Sequence, residues 1–149
     1  MVRYIQYFTR AYLSRNSRGE AILKISEEDL SENEVGIGLG GKLYSMAIST
    51  PYGCVIALSL ELTTPDMIYA ALALLNPLNS EDTQILEKII SSREIHISLG
   101  ERILGVYRLS EAEVDRLSYT MSKTRECDIM RSVEVDLDKA YEWIVSSLG

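Results

Sequence analysis

A chain of 149 residues, 46% hydrophobic and 25% charged, has the size and balance of one folded domain and not of a disordered segment. At that length it buries roughly 70% of its unfolded surface and needs no metal or disulfide to fold. Its net charge of −7 and pI near 4.8 repel phosphate on average, which excludes a general polyanion binder. No apolar run approaches the roughly 18–20 residues of a membrane span. The opening MVRYIQYFTR lacks the apolar core of a secretory signal. The expectation is a single domain over residues 1–149, cytoplasmic, with no membrane association.

Residues 2–13 and 20–26 have strand composition, separated by the turn-forming SRNSRG at 14–19. Ser26 followed by Asp29 predicts a capped helical turn over 26–34, and Val35, Ile37 and Leu39 restore strand character before Gly40-Gly41. A hairpin is predicted from Lys42 to Leu62. A two-residue loop, Pro51-Tyr52, would mix large and small side chains on both faces. A three-residue loop, Pro51-Tyr52-Gly53, instead pairs Ile48 with Ile56, Met46 with Leu58 and Tyr44 with Leu60, and this sorting favours it.

Thr64, Pro65 and Asp66 resemble a helix start, so MIYAALALL is expected to be a buried helix ending at Asn76-Pro77. Ser80 is expected to cap a second helix with Ile85, Leu86, Ile89 and Ile90 on its apolar stripe. A second hairpin spans Arg93–Leu109 about a Gly100-Glu101 turn, with His96 facing Gly105. Ser110 and Glu113 form a capping box at the start of a helix carrying Val114, Leu117 and Met121. Residues 128–135 read as a strand. Asp136 caps a last helix that buries Ala140, Tyr141, Ile144, Val145 and Leu148. Hairpins without βαβ alternation indicate an α+β domain: a mostly antiparallel sheet with helices on one face.

Chemistry-bearing patterns are sparse. Two cysteines, Cys54 and Cys127, and one histidine, His96, cannot build a four-ligand Cys/His metal site, and neither metal nor cofactor is expected. In a reducing compartment the cysteines are read as buried thiols, with a single disulfide between them as the alternative. Four Asn and two Gln are few, consistent with a heat-adapted source. Gly36-Ile37-Gly38-Leu39-Gly40-Gly41-Lys42 runs into strand residues and not a helix, so it lacks the dipole of a phosphate loop and reads as structural. The acidic residues cluster at helix starts, where the macrodipole accounts for them.

Three patterns give functional readings. Ser45, Ala47 and Ser49 with Ala57 and Ser59 make a small-residue face in the three-residue register. That face fits a docking surface for a partner protein or a second copy, or the approach of one of the chain's own helices. Tyr4, Phe8, Arg10 and Tyr12 share one strand parity, with Arg15 and Arg18 beside them. Aromatic-plus-arginine faces stack single-stranded bases, although the acidic net charge does not favour nucleic acid. Glu94, His96 and Ser98 alternate along one strand, too far apart for a triad but leaving His96 as a ligand-contact candidate. The leading expectation is a non-enzymatic assembly or adaptor subunit acting through its sheet. Single-strand binding and a small enzyme at His96 are the alternatives.

Overall fold

An asparagine organises the first turn. In the computed structural model, which describes residues 5–26, 42–63, 68–131 and 134–148, β1 (Ile5–Arg15) and β2 (Ala21–Ile25) form an antiparallel hairpin. The Asn16 side-chain carbonyl accepts the amides of Arg18 and Glu20 at 3.0 and 2.9 Å. The strands β3 (Leu43–Thr50), β4 (Gly53–Thr63) and β5 (Ile68–Leu75) follow, then α1 (Ser80–Ser92), β6 (Glu94–Leu99), β7 (Arg102–Arg108), α2 (Glu111–Arg131) and α3 (Leu137–Leu148).

The described strands make one seven-stranded sheet in the order β3-β4-β5-β1-β2-β6-β7. The α+β class holds, but the sheet is mixed: β1 pairs with β5, and β2 with β6, in parallel. The remaining neighbours are antiparallel.

Helices cover both faces, not one. Ile85, Leu86 and Ile89 of α1 and Val114, Leu117 and Met121 of α2 join Leu23, Ile25, Ile56, Leu58, Leu60 and Ile97 in the larger core. On the opposite face Ala140 and Ile144 of α3 pack on Val55, Ala57 and Leu72. The reason lies in β4 and β5. β5 is apolar at every position and β4 is apolar throughout 54–58, as strands covered on both faces are.

The same fact corrects the helix expected at MIYAALALL. Residues 68–75 are the strand β5, in the interior of the sheet. An apolar run with no period suits either a buried helix or a doubly covered strand, and eight residues is strand length. The expected burial is found at Ala70–Ala73 and Leu75.

The β3–β4 hairpin also departs from expectation. Thr50 opposes Gly53, Ile48 opposes Val55 and Met46 opposes Ala57, so the loop is the two-residue Pro51-Tyr52. Thr50 fixes it, its hydroxyl accepting the Tyr52 amide at 3.0 Å and donating to the Gly53 carbonyl at 2.8 Å. Bulk is not sorted between the faces because α2 lies over β3. Small side chains are needed beneath it, and Ser45 Oγ meets Thr120 Oγ1 at 3.3 Å.

In the β6–β7 hairpin the turn at Gly100-Glu101 is as expected, with Leu99 opposite Arg102. A bulge between Ile97 and Ser98 then shifts the register, so Val106 and not Gly105 opposes His96.

Helix starts follow the sequence closely. The Ser110–Glu113 box forms with bonds of 2.8 and 3.2 Å, and Asp136 accepts the Lys139 amide at 3.2 Å. At α1 the cap is Asn79, one residue earlier than expected, its side chain accepting from the Glu81 and Asp82 amides. Residues 128–131 continue α2 and are not strand.

Cys54 and Cys127 are not free thiols but a disulfide joining β4 to α2, with Cα atoms 6.2 Å apart. The readings made at Gly36–Gly41, at the 26–34 turn beyond Ser26, at Val35–Leu39 and at Thr64–Asp66 lie outside the described residues, as does Tyr4. No described helix is long and apolar enough to cross a membrane.

Candidate interaction surface

The edge of the sheet at β3 follows from hydrogen-bond alternation. Glu61 donates its amide to the Lys42 carbonyl, which makes Lys42–Glu61 a bonded pair. Antiparallel strands alternate bonded and non-bonded pairs. Leu43, Ser45, Ala47 and Ser49 therefore turn their backbone N–H and C=O away from β4. The first two are capped by α2 and β7. The Leu43 amide donates to Glu113 at 2.8 Å and lies 3.2 Å from the Tyr107 hydroxyl. The Ser45 carbonyl accepts from Arg116 Nε and Thr120 Oγ1, each at 3.4 Å. At Ala47 and Ser49, no described residue pairs with the outer edge.

Electrostatics hold the capped end together. Burial raises the Glu113 pKa, but hydrogen bonds from Ser110, Tyr107 and Leu43 outweigh it and set the carboxyl below its ordinary range. Its partner Tyr107, which donates to Glu113 at 2.6 Å, is pushed up to about 12 by burial and by that carboxylate. The pair is thus a neutral phenol on a charged carboxylate through the neutral range.

Beside this edge, on the face of α3, the even-numbered residues of β3 form an apolar strip. Tyr44 and Met46 are 51% and 50% exposed, unusually high for large apolar side chains lying side by side. With Ile48, Ala57, Ser59, Leu72 and Ile144 they line an open hollow of about 260 Å³. The expected inward placement of Tyr44 and Met46 hid this strip at the sequence level. Its signal was present as alternation of large apolar with small residues over 44–49.

The five small residues do not share a face. Ser45, Ala47 and Ser49 lie on the α2 side, where Ser45 is buried. Ala57 and Ser59 lie on the α3 side and line the hollow. The two-residue loop separates them, since the register sum differs by one from that expected.

The N-terminal arginine–aromatic group is partly assembled. Phe8 takes its place in β1 opposite Ala70. Arg10 forms an ion pair with Asp138 of α3, and its guanidinium lies 5.1 Å from the Tyr12 ring centroid and 4.7 Å from that of Tyr141. It therefore bridges β1 to α3. Tyr12 is half exposed, while Arg15 and Arg18 are exposed at the β1–β2 turn.

His96 is also engaged. Its Nε2 lies 3.0 Å from a Glu20 carboxylate oxygen, in a small recess with Lys88, Ser92 and Glu94. A hydrogen bond from Asn16, with His96 and Arg18 nearby, lowers the Glu20 pKa against a smaller effect of burial.

A wider open hollow of about 670 Å³ lies where the β3–β4 turn meets the start of α3. Three of its carboxylates have structural partners: Asp82 accepts the Asn76 amide, Asp136 caps α3 and Asp138 holds Arg10. No group of three metal-ligating side chains occurs among the described residues. Compared with protein-family models, with curated proteins and with solved structures, the chain matches none.

Proposed function

We propose that this protein is a non-enzymatic assembly subunit that associates with a second copy of itself through β3. The outward backbone groups of Ala47 and Ser49, beside the apolar strip of Tyr44, Met46 and Ile48, carry this reading. An antiparallel edge is self-complementary under a twofold axis. An axis through Ala47 sets it against its own copy and Ser45 against Ser49, whose amide takes over the Ser45 carbonyl from Arg116 and Thr120, both of which reach it only at 3.4 Å. On the α2 side the β3 side chains that then meet are small. On the α3 side Met46 meets Ile48 of the other copy, and the two strips become one. The sheet of each protomer continues into the next, and the exposed Tyr44 and Met46 are withdrawn from water.

The test is Met46→Glu. Met46 is half exposed, so the charge is tolerated in the isolated chain. Across the paired edge it sits against apolar neighbours. Static light scattering should give a mass halved relative to the unmodified chain. An unchanged mass contradicts the reading.

A further inference from the structure

The second half of α2 is held to the sheet differently from the first. Over residues 111–121 the helix is anchored by Val114, Leu117 and Met121 in the core, by its capping box and by the Glu113–Leu43 bond. Beyond Met121 the described side chains facing the sheet are Thr124 and Cys127, while Ser122, Lys123, Arg125 and Glu126 are exposed. Thr124 is buried, but its hydroxyl donates back to the Thr120 carbonyl at 2.7 Å, within the helix. No large apolar side chain described between 122 and 127 fastens this stretch. A helical segment of about ten residues is not stable on its own. Among the described side chains, the one that ties it to the sheet is Cys127, through its bond to Cys54, which closes a separation of 73 residues.

We infer that the Cys54–Cys127 disulfide is a redox-operated clamp, and that its reduction releases residues 122–131 while the rest of the domain stays folded. The chemistry has an accessible entry. Cys54 is buried and Cys127 is only partly so. A thiolate of a dithiol reductant attacks the Cys127 sulfur, forming a mixed disulfide, and Cys54 leaves as a thiolate that takes up a proton. The reductant's second thiolate then attacks its own sulfur in the mixed disulfide. Cys127 leaves and is protonated, and the reductant departs as a cyclic disulfide. Two electrons and two protons pass to the protein. Dissociation or association through β3 is not required for this step.

Peptide-resolved hydrogen exchange on the full chain tests it, with alkylation and mass measurement counting thiols in each sample. The oxidised protein should show no free thiol and protection across α2. With dithiothreitol, exchange over 122–131 should accelerate at least tenfold, with 111–121 and β4 unchanged. Cys127→Ser without reductant should reproduce the reduced pattern. Unchanged exchange over 122–131 on reduction would overturn the inference. So would two titratable thiols in the oxidised sample, or loss of protection throughout the domain.

Discussion

The carboxylate of Glu113 accepts the backbone amide of Leu43 at 2.8 Å, across 70 residues of sequence. The same side chain closes the capping box on Ser110 and receives the Tyr107 hydroxyl. One acid thus starts α2, ties β7 to that helix and terminates the open edge of β3. Below this point the edge is capped, and beyond it Ala47 and Ser49 are turned outward.

Glu113 should make the fold acid-sensitive. Its folded pKa lies below the ordinary 4.5, so the stabilisation is present above that value and lost as pH falls through the folded one. Urea titrations over a pH series should show this loss in the unmodified chain and a flatter profile in Glu113→Gln. Glu113→Ala should cost roughly 1–3 kcal/mol by removing the acceptor shared by the Leu43 and Ser110 amides and the Tyr107 hydroxyl. Identical acid profiles for the chain and the Gln variant would contradict this assignment.

Tyr107 should act at the other end of the scale. Its folded pKa is raised from 10.0 to about 12, so its contribution is complete below 10 and lost as pH rises towards 12. Tyr107→Phe should remove that alkaline slope. It should also weaken the fold at neutral pH by about 1 kcal/mol through the lost bond to Glu113. An alkaline slope that persists in the Phe variant would assign it to another group.

Gly53 is fixed by two independent constraints. Its φ is +115°, and a Cβ there would lie 2.8 Å from Val135 Cγ2. Gly53→Ala should therefore destabilise by roughly 1–3 kcal/mol. Val135→Ala should remove the closest contact but leave Val135 Cα at 3.1 Å and the backbone conformation unchanged, so the double variant should recover only part of the loss in thermal unfolding.

Local chemistry was legible in the sequence wherever one segment carries its own signal. The Asn16 turn region, the Ser110–Glu113 box, the stripe of α1 and the Asp136 cap all reappear in the structure. Long-range placement was not. Nothing within residues 68–75 tells a doubly covered strand from a buried helix, since both are apolar throughout. Side-chain bulk does not report the β3 register, because α2 needs Ser45 beneath it and leaves Tyr44 and Met46 on the other side. Arg10 and Asp138 are 128 positions apart, so the ion pair joining β1 to α3 has no local signature. The small residues expected on one face are therefore divided between two, and the large side chains expected inward, Tyr44 and Met46, are exposed.

Light scattering on Ala47→Pro, beside a thermal unfolding curve, tests self-association at β3 most directly. The Ala47 amide points away from β4, so proline there removes no bond of the hairpin and is tolerated as on other edge strands. Self-association at β3 predicts about twice 16.8 kDa for the unmodified chain and 16.8 kDa for the variant, with the variant unfolding cooperatively at the midpoint of the unmodified chain diluted to monomer. An unmodified chain that is monomeric at every concentration, or a proline variant that keeps the doubled mass, would contradict it.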